Sequence, residues 1–240
     1  MAGLKGNVLI TGGGQRLGLY HARQFIEAGY QVIVTYRNER PGVAELARLG
    51  ALTIQADFAT MAGIERCIAT LRGATASLRA IIHNASAWLT DEEVMTDPRL
   101  FTELANVHML TPYLFNLRCH DLLLADQPSP LRDIVHMTDF AIQKGSAKHA
   151  AYVATKAGLE SLALSFAKRF APRIKVNAIA PALIKFNAGD SQAYRQKTLK
   201  KSVLQIEPGE PVIWQTLEFI LANPYLTGAI IPMDGGRHLV

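Results

Sequence analysis

Tyr152 and Lys156 stand four residues apart in AAYVATKAGLESLALSF, and Asp139 precedes the tyrosine by thirteen residues. On a helix, a four-residue step puts two side chains on one face, one turn apart. An ammonium at that distance is expected to lower the phenol's pKa toward working pH, so that the tyrosine can exchange a proton with a substrate. Asp139 sits oddly beside such a pair, because a carboxylate competes with the tyrosine for the same positive charge. Its alternative is structural: a carboxylate at the end of a strand, capping a turn.

The chain must place these groups on a scaffold, and its apolar pattern says which. Strands are expected at NVLIT (7–11), QVIVTY (31–36), ALTIQA (51–56), LRAIIHN (78–84), DIVHMT (133–138), IKVNAIA (174–180) and GAIIPM (228–233). Segments of helical period lie at 16–28, 41–49, 60–72, 99–125, 150–171 and 210–222. Continuous apolar strands alternating with helices imply βαβ units and a parallel sheet covered on both faces. No linker, repeat or low-complexity block interrupts residues 1–240, so one domain is expected. The polar stretch 183–206 is expected as a loop at the carboxyl edge of the sheet, covering a ligand.

VLITGGGQRLGLYHARQFIEAG reads as strand, glycine turn and amphipathic helix. Gly12, Gly13, Gly14 and Gly18 let backbone approach a pyrophosphate at a helix N-terminus, which points to a dinucleotide. An acidic residue closing the second strand would suit NAD; here Tyr36-Arg37 closes it, and Arg16 lies in the glycine turn. Two guanidinium groups at the adenosine corner suit a 2′-phosphate, so NADPH is the expected cofactor, the alternative being two solvated surface arginines. Asp57 is placed either to accept from the adenine amino group or to cap the following helix.

Composition narrows the partners. The chain has 25 Lys and Arg against 20 Asp and Glu, a net charge of +5, without a basic run or RNA-binding signature. Attraction of small anions accounts for that excess better than nucleic acid does. Cys67 and Cys119 read as buried thiols rather than a disulfide or metal site. The N-terminus runs into a strand with no signal peptide, and no apolar run is long enough to span a membrane, so a cytoplasmic protein is expected.

The glycine turn, the strand ending in HNAS, the YxxxK step, NAIAPALI and PMDGG occur in order over essentially all 240 residues. Together they resemble the short-chain dehydrogenase/reductases. The resemblance implies an α/β fold, a Rossmann-type doubly wound parallel sheet with helices on both faces. It further implies a nicotinamide cofactor, with Tyr152 as catalytic acid and Lys156 as its tuner and the anchor of the nicotinamide ribose. Gly12, Gly14, Arg16, Leu17 and Gly18 would hold the phosphates. Tyr36, Arg37 and Asp57 would hold the adenosine end, and Asn84, Ala85, Pro181 and Ile184 the nicotinamide end.

Five positions depart from the usual pattern: Arg16, Asp139, Ser86 in place of the glycine of NAG, Ala182, and His108 at the position of a catalytic asparagine. Arg16, the NAS sequence with its aromatic, and Asp139 recur together in the pteridine reductases of that family. By that resemblance Trp88 stacks on a pterin ring opposite the nicotinamide, and Ser86 and Arg16 bond pterin edge atoms and a cofactor phosphate. Arg16, Ser86, Trp88, Asp139 and Tyr152 then form the substrate site for hydride delivery to the C6=N5 imine of a dihydropterin, with weaker action on dihydrofolate; Asp139 joins Tyr152 and Lys156 as catalytic, supporting or relaying the proton that Tyr152 gives to N5. His108, His83 and His136 are read as structural, and Tyr194 and Arg195 as either closing over substrate or lying on a helix surface. The family also implies a homotetramer joined through the 99–125 and 150–171 helices, with the carboxyl terminus near another interface. Two rivals stay open. A carbonyl reductase predicts a hydroxyl in place of Asp139, and a non-catalytic NADPH-binding regulator predicts loss of Tyr152 or Lys156.

Overall fold

The computed structural model describes residues 5–125 and 132–240; the first four residues of the N-terminal reading lie outside it. Seven strands form one parallel sheet in the order β3-β2-β1-β4-β5-β6-β7. They are β1 (Asn7–Ile10), β2 (Gln31–Tyr36), β3 (Leu52–Gln55), β4 (Ala80–His83), β5 (Arg132–Met137), β6 (Ile174–Pro181) and β7 (Ile230–Met233). The central strands are apolar at successive positions because helices cover both faces. Val8, Leu9 and Ile10, like Ala80, Ile81 and Ile82, have no exposed surface. Period-two alternation sends Leu9, Ile81 and Ile134 into one core and Val8, Ile82 and Val135 into the other.

The first core packs beneath α3 (Met61–Ala74), α6 (Thr111–Arg118) and α9 (Ala150–Phe170), through side chains such as Ile64, Phe115 and Phe166. The second lies under α1 (Arg16–Glu27), α2 (Pro41–Arg48) and α11 (Pro211–Ala222), where Phe25 meets Trp214 edge to face at 4.8 Å. The chain leaves β1 for β2 on one side and β4 lies on the other, so the strand order reverses at β1. The carboxyl ends of β1 and β4 therefore diverge into a crevice, where loops meet.

Two elements differ from expectation. The single helix expected over 99–125 is α5 (Arg99–Ala105), a π-helical turn (Asn106–Leu110), α6, and α7 (His120–Leu124) beyond Cys119. Pro112 has no N–H to continue the ladder, and the Thr111 hydroxyl bonds back to Asn106 O at 2.8 Å, so the backbone widens there. The loop expected over 183–206 contains α10 (Gln192–Leu199), whose start is capped where Ser191 Oγ accepts from Tyr194 N. Two short helices, α4 (Asp91–Thr96) and α8 (Ala141–Lys144), flank the carboxyl edge.

Candidate active site

The glycine turn after β1 is folded tightly onto β4. Gly12 has φ +70°, and a Cβ on it would lie 2.8 Å from Ala85 Cα. Thr11 Oγ1 accepts from the N–H groups of Asn84 and Ala85, and Asn84 Nδ2 donates to the carbonyls of Thr11 and Gly12. Asn84 is thereby the brace of the turn. A Cβ at Gly18 would strike Gly12 O at 2.2 Å, so α1 can start this close only with glycine there. That helix begins with no side-chain cap and no acidic residue in its first turn, which leaves positive backbone ends facing outward.

In front of this turn lies a cavity of ≈310 Å³, lined by Gly12, Gly14, Arg16, Leu17, Gly18 and the residues that end β2, β3 and β4. Tyr36, Arg37 and Asp57 face it, as do Asn84 and Ala85, so most of the expected cofactor residues share one wall system. Asn38 and Arg40 also line it and were missed; the available signal was their place beside Arg37 at the end of β2. The cradle, the open helix start and the arginines fit a dinucleotide bearing a 2′-phosphate.

Three details differ from expectation. Asp57 does not cap the following helix: Thr60 Oγ1 accepts from Gly63 N, while Asp57 Oδ1 takes Ala59 N within the preceding turn. Tyr36 Oη is committed to Glu39 at 2.7 Å. Arg16, in the left-handed region at φ 51°, sends its guanidinium to Asn187 Oδ1 and Lys185 O rather than to the adenosine corner. It bridges the crevice because α1 faces the chain that follows β6.

A second cavity of ≈860 Å³ shares Arg16, Leu17, Asn84 and Ser86 with the first and holds Asp139, Tyr152, Lys156, Pro181 and Ile184. The phosphate turn thus opens directly into the catalytic cleft. Tyr152 and Lys156 lie on α9, which packs along β5 and β6, and both are buried. Tyr152 Oη donates to Asp139 Oδ2 at 2.8 Å, and Asp139 Oδ1 accepts from Ala141 N at 2.7 Å. Asp139 therefore does both things considered for it, capping a turn and holding the tyrosine.

Lys156 does not tune the phenol as expected. Its Nζ donates to Met137 O at 2.8 Å and stands 5.9 Å from the centre of the Tyr152 ring. Burial, then the charge and hydrogen bond of Asp139, push the tyrosine pKa well above its usual value, against a smaller lowering from Ser86. Burial brings Lys156 down to about 8, opposed by Asp139.

His108 is a fastener. Thr155 Oγ1 gives its proton to Tyr152 O at 2.8 Å, so it accepts from His108 Nδ1 at 2.8 Å. His108 Nε2 is left to accept from the Ser86 hydroxyl at 2.9 Å and from Ala87 N at 3.2 Å. Burial and Lys156 hold its pKa down to about 2, so it stays neutral. The π-helical turn puts the imidazole between α9 and the loop after β4. His83 and His136 meet at Asn116 inside the core, as expected of structural residues.

Trp88 is not a core residue: it is 59% exposed, with its ring 4.4 Å from that of Tyr152 and 4.2 Å from that of His149. Tyr194 packs on Phe186, and Arg195 bonds Asn187 O and Asp190 O, so both brace the segment after β6. Thr155, His149, Asp91 and Asn187 were missed; each matters through a partner distant in sequence.

A family model described as enoyl-(acyl carrier protein) reductase matches residues 15–238. Dihydromonapterin reductase from Enterobacter sp. (strain 638) is 44% identical over 232 residues, 97% of this chain and 96% of that protein. The dihydromonapterin reductase of Klebsiella pneumoniae is 42% identical over the same shares. Among solved structures, FolM alternative dihydrofolate reductase 1 from Brucella canis, complexed with NADP, superposes with a TM-score of 0.86. It is 24% identical, over 98% of this chain and 95% of that one, and attests to the shared fold. With matches of this extent and the Tyr152–Lys156 helix set against the glycine turn, the chain belongs to the short-chain dehydrogenase/reductase family.

Proposed function

We propose that this protein is an NADPH-dependent oxidoreductase that reduces 7,8-dihydromonapterin to tetrahydromonapterin, with weaker dihydrofolate reductase activity. The observation that carries the reading is the indole of Trp88 beside the Tyr152–Asp139 pair. An exposed aromatic face next to a proton-bearing couple suits a flat heterocycle that needs a proton on a ring nitrogen. The similarity to dihydromonapterin reductases over nearly the whole chain supports the same substrate.

Gly12, Gly14, Arg16, Leu17 and Gly18 hold the phosphates, and Tyr36, Arg37 and Asp57 the adenosine end. Asn84, Ala85, Lys156, Pro181 and Ile184 surround the nicotinamide end. When bound there, the cofactor supplies the hydride that reduces C6. Trp88 stacks on the pterin, and Ser86 and Arg16 bond its edge, Arg16 by releasing Asn187. Tyr152 faces N5. A phenol whose acidity is suppressed is a weak donor alone, so Tyr152 and Asp139 act as a couple. As the Tyr152 proton moves to N5, a proton arriving through Asp139 replaces it. His108 and Thr155 keep Ser86 and Tyr152 in register.

We assign a homotetramer on the exposed apolar residues of the expected contact helices, Phe101, Tyr113 and Leu164. A cytoplasmic setting suits two unpaired thiols, Cys67 and Cys119, and among the described residues no helix is long and apolar enough to cross a membrane.

The test follows the loss of NADPH absorbance with dihydromonapterin, dihydrobiopterin, dihydrofolate and a panel of ketones. Dihydromonapterin is expected to give the highest kcat/KM. Turnover of ketones alone would replace this reading with carbonyl reduction, and NADPH binding without any turnover would make the protein a regulator.

A further inference from the structure

The stacking residue is exposed, yet stacking requires its plane to be fixed relative to Tyr152. Isolated surface aromatics are free to change rotamer. The chain that follows Trp88 is held by four hydrogen bonds to the start of α9. Asp91 Oδ2 accepts from Ala150 N at 2.8 Å and Asp91 Oδ1 from Ala151 N at 3.1 Å. Asp91 N donates to Lys148 O at 2.9 Å, and His149 Nδ1 donates to Leu89 O at 2.9 Å.

A helix ordinarily satisfies its first N–H groups with the side chain of its own N-cap residue. Here the N-cap is His149, which makes no such bond. A carboxylate from about 60 residues earlier takes over, placing negative charge at the positive end of the helix that carries Tyr152. Its two backbone donors hold Asp91 below the ordinary carboxylate range. The His149 ring lies against the Trp88 indole at 4.2 Å, with a 43° tilt. One histidine thus joins the loop backbone, the helix start and the stacking platform. Upstream, Ser86 and Ala87 are tied to His108. Trp88 is the one residue between two anchored segments.

We propose that Asp91 and His149 are positioning residues that bracket the Trp88 platform to the helix carrying Tyr152, and so set the plane in which the heterocycle is held. The substrate part of this assignment rests on the dihydropterin reading above; the mechanical part does not. A helix cap supplied from a distant loop makes the proton donor and the stacking face one rigid unit. Loosening it misplaces substrate without disturbing the dinucleotide cavity on the other side of Ser86.

The experiment uses full-length protein carrying Trp214→Phe, which leaves Trp88 as the only tryptophan. Acrylamide quenching then reports the platform directly. Asp91→Ala and His149→Ala are each expected to raise the Trp88 quenching constant about twofold or more and the dihydropterin KM about tenfold, with NADPH KM within about twofold. Asp91→Asn keeps one acceptor oxygen and should fall between; it also serves if Asp91→Ala does not fold. Unchanged quenching in the alanine variants overturns the bracket, as does an equal rise in both KM values. If the parent reduces no dihydropterin while quenching still responds, the functional reading fails and the bracket stands.

Discussion

Strand β5 has a carboxylate near each end, and the two ends use it in opposite ways. At the amino end Asp133 is fully buried between Arg79 Nη1 at 2.5 Å and Lys175 Nζ at 2.9 Å. Lys175 also donates to Ile220 O and Asn223 O at the end of α11. Burial still pushes the Asp133 pKa up, against both cations, but its charge is matched on the spot. At the carboxyl end Asp139 holds a tyrosine rather than a cation, and Lys156 gives its hydrogen bond to a carbonyl. The first arrangement ties β4, β5, β6 and α11 together. The second sets Asp139, Tyr152 and Lys156 around a cavity with no direct ion pair between carboxyl and amine, an arrangement suited to groups that do chemistry.

Swapping damage between the two ends tests that contrast. Tyr152→Phe should lower kcat/KM for dihydropterin by about 10²–10⁴-fold and leave the thermal midpoint nearly unchanged. Asp133→Ala strands two buried cations and should cost about 3–5 kcal/mol in urea unfolding, with kcat of the folded fraction little altered. A reversed outcome for either variant would break the division of labour.

The next effect is electrostatic. Lys156 falls to about 8 in the folded chain from an ordinary 10.5. A lysine depressed by burial opposes folding fully below the folded pKa, and the penalty fades as pH rises toward the unfolded value. Wild-type stability should therefore rise by about 2 kcal/mol between pH 8 and 10, relative to Lys156→Met, as urea titrations at several pH values would show. Over the same window kcat/KM should decline as the anchoring charge is lost. A flat difference between the two proteins would mean that the ammonium is already matched, as at the amino end.

Smallest is the effect of the exposed ring. Trp88→Ala should raise the dihydropterin KM roughly tenfold, in line with one lost stacking contact, and leave the NADPH KM alone. Equal changes in both would move Trp88 from the substrate cleft to the general scaffold.

The sheet was readable because its central strands carry apolar runs that the structure covers on both faces; the expected limits of the strands differ from the observed ones by two residues or fewer. The long helix was not, since its break depends on Thr111 bonding back to Asn106 across a widened turn. Helix α10 hid in a polar stretch whose strongest cue is the Ser191 cap, because it lies at the surface and needs no broad apolar stripe. In the site, the glycine turn and the Tyr152–Lys156 step were visible as local spacings. Asp91 and His149 were invisible, since their partners lie about 60 residues away.

Tyr152, Lys156 and Asp139 mark the boundary. Spacing along one helix placed Tyr152 and Lys156 one turn apart, and chemistry named Asp139 as the third member. Spacing did not assign the hydrogen bonds. Packing gave the tyrosine proton to Asp139, turned Lys156 toward Met137 O and seated His108 behind Ser86. Those outcomes depend on burial and on distances between elements far apart in the chain. A local pattern constrains which groups can meet, and the dielectric and contacts of the folded interior decide what they do when they meet.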